Sequence, residues 1–220
     1  MEVRGMREAL GEEEVRALIA RYGIPSPEGG VARSEEEAGA IAGRVGYPVA
    51  LKALTQGLRG CRRHGCLLLD IGSEDGVREG YRKVLEAAEV ASTGAQSGRV
   101  LVQRMVPQGR EVRVGFIRGE FGLAVTLGLS GLFTDVLGDT AYKTAPVSRD
   151  GVLGMVEGLK NREILLEGGC DLEALAGVVD ALSRLGLERP EILGLEIDPL
   201  FLYPEGALAL RVRLIPAPGV

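Results

Sequence analysis

Three β-rich runs follow one another between Arg99 and Leu129: "RVLVQRMV", "EVRVGFIR" and "FGLAVTLGL". Only short turns, "PQG" and "GE", separate them. Gaps this short favour antiparallel neighbours, because a parallel return needs a crossover of a dozen residues or more. The spacing predicts an antiparallel meander in the second half of the chain.

The first half reads differently. In "GEEEVRALIARYG", Val15, Leu18, Ile19 and Tyr22 fall on one helical face, three acids occupy the opening turn, and Gly23 and Pro25 stop the helix. "SEEEAGAIAGRVG" opens with a capping box from Ser34 to Glu37 and sets Ala38, Ile41 and Val45 on one side. "YPVALKAL" and "CLLLDI" read as strands around a Gly- and Arg-rich loop, "TQGLRGCRRHG". Ser73 begins another helix with Val77, Tyr81, Val84 and Leu85 along its stripe, and "ASTGAQSG" is a connection of small and polar residues. After the meander, helices are expected around 149–160 and 172–185, then the strands "EILGLEIDPLFL" and "GALALRVRLI". The expectation is an α+β chain: one domain over 1–220, made of two α+β subdomains at about 1–98 and 99–220. A ligand would lie in a cleft between them.

Composition narrows the function classes. With 220 residues and 45% hydrophobic content the chain buries a substantial core, and its net charge of -5 gives no general attraction to nucleic acid or an anionic membrane. No apolar run is long enough to span a bilayer, and "MEVRGMREALGEEEV" lacks the apolar core of a signal peptide. Three cysteines, Cys61, Cys66 and Cys170, form no secreted disulfide framework. A cytoplasmic protein is expected.

Several residues look chemically out of place. Lys52 shares a strand with apolar neighbours, so its amine must reach water or meet an anion. "LVQRMV" could cover a flat heterocycle while backbone groups read its edge, and the acid Glu111 follows it. The Gly-rich "LGLSG" at 127–131 either turns the chain or brings backbone N–H groups to a phosphate. In "GLEIDPLFL", strand alternation sets Leu195 and Ile197 on one face, with Glu196 and Asp198 about 7 Å apart on the other. Two like charges there call for a cation or for solvent.

Taken in chain order, these features resemble the ATP-grasp fold. The strand lysine, the apolar hinge followed by an acid, the glycine-rich meander and the late "EIDPL" match most closely the nucleotide-binding part of ADP-forming acyl-CoA synthetases and succinyl-CoA ligase β chains. "EEEVRALIARYGIPSP" and "AGRVGYPVALK" carry the resemblance beside "EIDPL", and it runs over nearly the whole chain. It implies that Lys52 contacts the phosphates of ATP or ADP. Gln103 would read the adenine or ribose side, Val106 would give a hinge backbone contact, and Glu111 would bind ribose hydroxyls. Glu196 and Asp198 would stand where the family ligates Mg²⁺. The implied activity interconverts acyl-CoA, ADP and phosphate with acid, CoA and ATP. No G-x-G-x-x-G unit for CoA is present, so a separate CoA-binding subunit would be the partner, supplying the phosphorylated histidine.

The chain departs from the family pattern at several positions. Gly60 and Cys61 fall where the family has a histidine-lysine pair, and the single histidine, His64, lies four residues on. "GLSGLFTD" offers Asp135 as a shorter acid, Gly194 fills the position of an upstream acid, and Arg211 replaces a metal-binding aspartate. Arg211 would then either pair with Glu196 or Asp198 or point to a nucleotide phosphate. These departures also admit a degenerate, non-catalytic module that binds a nucleotide or a partner. "CRRHGC" sets Cys61, His64 and Cys66 near one another, but without the spacing of a standard zinc finger.

Overall fold

The protein is described as a computed structural model covering residues 11–54, 64–91, 98–120, 122–131 and 138–214. It comprises two compact units, one of residues 27–107, the other of the described residues up to 26 together with those from 108 onward.

The 27–107 unit follows the order β1 (Gly29–Ala32), α2 (Glu35–Val45), β2 (Val49–Leu54), β3 (Leu67–Ile71), α3 (Glu74–Ala91), β4 (Arg99–Arg104); helix α1 (Glu12–Arg21) belongs to the other unit. Its sheet has the order β1-β4-β2-β3, antiparallel at every pairing. Ser34 caps α2 as its spacing predicts, its hydroxyl accepting from the Glu37 N–H at 3.2 Å. The Glu37 carboxylate accepts from the Arg33 N–H at 2.7 Å. Ala38, Ile41 and Val45 of α2 and Val77, Tyr81 and Val84 of α3 close over Val49, Leu51, Val100 and Val102 of the sheet.

Strand β4 corrects the meander expected from the spacing. Its register runs Gly29↔Gln103 against β1 and Ala50↔Gln103, Lys52↔Leu101 against β2, and it does not pair with the next strand in sequence. The physical reason is visible in its side chains: Val100, Leu101, Val102 and Gln103 are all buried, the pattern of a strand covered on both faces. A hairpin with the following run would have left it at an edge. The unit that begins at residue 27 runs on past β4 to residue 107. β1, "GGVA", was not anticipated either, since two glycines in four residues give no strand signal.

The other unit contains α1 (Glu12–Arg21), β5 (Arg110–Gly119), β6 (Gly122–Leu129), β7 (Thr140–Thr144), α4 (Arg149–Glu157), the short α5 (Glu163–Leu166), α6 (Leu172–Glu188), β8 (Gly194–Leu202), β9 (Ala207–Ala209) and β10 (Val212–Leu214). Its antiparallel sheet is ordered β10-β8-β5-β6-β7, with β9 also paired to β8. The expected β5-β6 hairpin is present over eight residue pairs from Val112↔Leu129 to Gly119↔Gly122. The terminal run "GALALRVRLI" divides into two strands at Leu210 and Arg211.

Helix α6 lies on this sheet through Leu175, Val179, Leu182 and Leu185, which meet Phe116, Leu123, Val125 and Leu195 in one core. Full burial of a side chain such as Phe116 contributes about 1.5–3 kcal/mol. The α1 stripe, Val15, Leu18 and Ile19, joins the same core, and the Ala209 N–H donates to the Pro25 carbonyl at 2.8 Å. That burial is why the first helix belongs with the last strands. Among the described residues no helix is long and apolar enough to cross a membrane.

One buried acid fastens the turn after α4. Asp139 accepts from the backbone N–H groups of Lys160 (2.8 Å) and Asn161 (2.9 Å) and from the Asn161 amide (3.1 Å). Burial alone would raise its pKa, but these hydrogen bonds to the charged form hold it below the usual value of 3.8. A depressed folded pKa contributes stability that is complete above the unfolded value and disappears as pH falls through the folded one. Asp139→Asn turns an NH₂ group toward N–H donors, so a loss of about 1–3 kcal/mol is expected near neutral pH. The variant's stability should also fall less steeply than the parent's below the carboxylate range, as read from urea midpoints across acid pH. Equal acid slopes for the two proteins would rule out this role for Asp139.

Candidate functional site

Within the 27–107 unit the β2–β4 pairing gathers the first expected residues. Lys52 lies directly opposite Leu101, and Gln103 is two residues along the same strand. Lys52 and Gln103 thus share one sheet face as diagonal neighbours, about 7–8 Å apart at the backbone. That face is opposite to the one covered by α2 and α3, into which Leu51 and Val102 project. Lys52 is half-buried. Gln103 is 9% exposed, and its Nε2 atom is buried with no hydrogen-bond partner among the described residues. A buried amide without an acceptor costs about 1–3 kcal/mol, so this nitrogen is poised to donate to something that enters.

Past the end of β4, the Met105 N–H donates to the Pro48 carbonyl at 2.9 Å. Val106 comes next in an irregular, half-buried segment and has no backbone hydrogen bond among the described residues. A strand end with uncommitted backbone groups suits edge recognition of a heterocycle.

In the other unit, a second cluster forms where β5, β6, β8 and β10 adjoin. Glu111 opens β5, opposite Phe201 of β8. The Ser130 N–H donates to the Glu111 carbonyl at 3.0 Å, and the Ser130 hydroxyl donates to Asp198 Oδ1. Gly131 adopts φ 112°, and a β-carbon there would lie 3.4 Å from Glu111 Oε2. The "LGLSG" run is therefore a strand end followed by a turn that brings Ser130 between Glu111 and Asp198. Its backbone N–H at Ser130 is committed within the fold.

Strand β8 alternates as its sequence predicts. Leu195 and Ile197 are fully buried, while Glu196 and Asp198 share the opposite face with side chains 13% and 12% exposed. Both acids are engaged by arginines. Arg211 donates from Nε to the Asp198 carbonyl at 2.7 Å and from Nη2 to Oδ2 at 3.2 Å, and Arg113 Nε lies 3.5 Å from the same Oδ2. Arg213 sits opposite Glu196 in the β8–β10 register and meets its Oε1 from Nη2 at 2.6 Å and Nε at 2.8 Å. Of the two outcomes open for Arg211, pairing with Asp198 is the one found.

Sequence reasoning missed Arg113, Ser130 and Arg213. The signal for Arg213 was available: "RVR" running antiparallel to "EID" sets like-spaced opposite charges face to face. In this arrangement both Asp198 oxygens and Glu196 Oε1 already accept from serine or arginine. Among the described residues no three His, Cys, Asp or Glu side chains are grouped to hold a metal ion.

The remaining expected positions divide between exposure and core. His64 is exposed, whereas Cys66 is fully buried under α3 and donates its thiol to the His64 carbonyl at 3.7 Å. Cys170 is half-buried. Gly60, Cys61 and Asp135 lie outside the described residues.

Comparison with known proteins assigns the chain to a family. Residues 2–215 match the ATP-grasp domain. The chain belongs to the ATP-grasp family. Among its relatives is the β subunit of ADP-forming acetate–CoA ligase I from Pyrococcus furiosus, 36% identical over 211 residues that cover 94% of this chain and 91% of that one. The ADP-forming acetate–CoA ligase I of Archaeoglobus fulgidus is 31% identical over 94% of this chain but only 30% of its own length. This ATP-grasp chain therefore spans nearly all of a stand-alone β subunit and under a third of the longer ligase. A solved structure of the dinucleotide-forming acetyl-coenzyme A synthetase 1 of Ca. Korarchaeum cryptofilum superposes with a TM-score of 0.89, at 30% identity over 95% of this chain and 93% of that one. That protein was solved with coenzyme A, Ca-AMPCP and HgCl⁺. The ATP-grasp fold expected from the sequence is thus the fold of the chain, and its relatives are the nucleotide-binding modules of ADP-forming CoA ligases.

Proposed function

We propose that this chain is the nucleotide-holding part of an ADP-forming acyl-CoA ligase, acting with a separate CoA-binding chain. The observation that carries the reading is Gln103 Nε2, a buried donor without an acceptor among the described residues, beside the half-buried Lys52 on one sheet face. An ammonium flanked by apolar strand residues attracts a phosphate more strongly than one in bulk water, because solvent screens it less. Lys52 supplies that charge, Gln103 donates to an acceptor on the adenine or ribose side, and Val106 offers backbone groups to the base edge. Glu111 accepts from ribose hydroxyls.

The reaction this serves converts acyl-CoA, ADP and phosphate into acid, CoA and ATP, and runs in reverse as a ligation. The ATP-grasp part positions the nucleotide and compensates charge on the transferring phosphoryl group. The thioester chemistry and the phosphorylated histidine belong to the partner. Two relatives fit such a division, a β subunit of matching length in Pyrococcus furiosus and a ligase more than three times as long in Archaeoglobus fulgidus.

Calorimetry with ATP and ADP tests the nucleotide half. Lys52→Ala is expected to weaken binding about 10–100-fold, the cost of losing one phosphate-directed charge. Gln103→Leu separates function from folding. It removes an unsatisfied buried donor, so thermal stability should hold or rise by about 1 kcal/mol while nucleotide affinity falls. Unchanged affinity in both variants removes this sheet face from the site.

The Arg211–Asp198 pair favours a second reading, a nucleotide-binding module without turnover. The two are distinguished by mixing the chain with a CoA-binding, histidine-bearing partner and following ATP formation from acyl-CoA, ADP and phosphate. ATP formation selects the ligase; complex formation with nucleotide binding alone selects the silent module.

A further inference from the structure

We infer that guanidinium groups replace the divalent cation in this chain, so that its anionic ligand is held without a bridging metal ion. The inference rests on the nucleotide reading only for the identity of the anion.

Three independent contacts restrain Asp198: the Ser130 hydroxyl, Arg113 at 3.5 Å and Arg211 at 3.2 Å. Arg211 is fixed in orientation as well as position, since its Nε also donates to the Asp198 backbone carbonyl at 2.7 Å. Glu196 is taken by Arg213 through two contacts to the same oxygen. With Glu111, which Ser130 joins to Asp198, three carboxylates (-3) face three guanidinium groups (+3), which leaves the cluster neutral before any ligand arrives. Adding a dication would raise that to +2. No proton can be shed to relieve it, because arginine stays charged at every accessible pH.

Mg²⁺ also demands near-octahedral oxygen ligation at short distance, and three of the four carboxylate oxygens, both of Asp198 and Oε1 of Glu196, are engaged by serine or arginine. The exposed guanidinium groups have a use. Arg211 and Arg213 are 47% and 49% exposed in their side chains, and a guanidinium carries five N–H donors. Donors left over from Asp198 and Glu196 can fork to phosphate oxygens, the geometry in which arginine binds them best. The acids then act as positioning residues that hold two arginines in place, and the arginines do the charge compensation.

Two measurements on the intact chain decide the matter. The first is Mn²⁺ binding by electron paramagnetic resonance without nucleotide. The parent is expected to show no saturable site tighter than about 1 mM, and Arg211→Asp is expected to create one by adding an acid beside Asp198. Saturable Mn²⁺ binding to the parent that is lost in Asp198→Asn overturns the inference. So does an Arg211→Asp variant that gains no Mn²⁺ site, because Arg211 then does not stand at the cation position.

The second is ATP affinity by calorimetry in excess EDTA and in excess Mg²⁺. The dissociation constants are expected to agree within about threefold, and Arg211→Gln to weaken ATP about tenfold in EDTA. A Mg²⁺-dependent tightening of more than about tenfold overturns the inference. Absence of ATP binding in both buffers rejects the nucleotide assignment instead, and the Mn²⁺ experiment then decides the cation question alone.

Discussion

Gly115→Ala is expected to destabilise the protein by about 2–3 kcal/mol and to lower its melting temperature by about 4–12 °C. Gly115 is buried on β5, paired with Glu196 of β8. A β-carbon added there would stand 2.3 Å from the Leu195 carbonyl oxygen and 3.1 Å from the Glu196 α-carbon. Both are backbone atoms of a paired strand, so no side-chain rotation relieves the overlap. The strands must separate or slip, against a ladder that runs along most of both. The effect should reach the arginine cluster, because Glu196 would be pushed away from its register with Arg213. Thermal melts give the stability term, and Arg213→Ala in the Gly115→Ala background gives the coupling. A melting temperature unchanged by Gly115→Ala would mean that β5 and β8 do not approach as described.

Asp198→Ala is expected to cost about 2–3 kcal/mol. Removing one member of a largely buried ion pair costs about 3–5 kcal/mol, because the remaining charge loses its compensation. Arg211 is nearly half exposed and recovers water, which reduces the figure. Arg113, with 29% of its side chain exposed, recovers less, and the Ser130 hydroxyl loses its acceptor. Part of the cost is electrostatic and exposed to solvent, so it should shrink in high salt. Urea unfolding at low and high sodium chloride measures both components. A double-mutant cycle with Arg211→Ala should return a coupling of about 1 kcal/mol. A loss below about 0.5 kcal/mol for Asp198→Ala would show that the network is not formed in solution.

Local features of this fold were legible and distant ones were not. The apolar stripes of α1, α2 and α3 follow from spacing alone, and the Ser34 cap follows from its position before Glu37. The alternation of "GLEIDPLFL" was readable because burial on one face leaves a period of two. What failed was partner choice. "RVLVQRMV" looks like the first strand of a hairpin, since nothing within its eight residues records that β1 and β2 will flank it. The four-residue β1 owes its existence to that partner, as glycines contribute nothing to a strand on their own.

The candidate site shows the same division. Lys52 stands out as a charge in an apolar strand, and Glu196 and Asp198 as acids in another. Gln103 drew its role from resemblance, and the unsatisfied state of its amide exists only once β4 is packed. Arg113 and Ser130 could not be found from local sequence. They lie 85 and 68 residues before Asp198 and reach it only through the strand register.

The placement of β4 has a consequence for how this protein is made. It is the last strand of its sheet to leave the ribosome, yet it lies between β1 and β2. Until it emerges, two flat strand edges have no neighbour to pair with, and α2 and α3 cover a half-built layer lacking Val100 and Val102. Helix α1 waits longer still, because the sheet that buries its apolar stripe is finished only by Val212–Leu214. Synthesis from the N-terminus therefore carries each unit as an incomplete intermediate until β4 and β10 emerge, with exposed edges and apolar surface that favour aggregation.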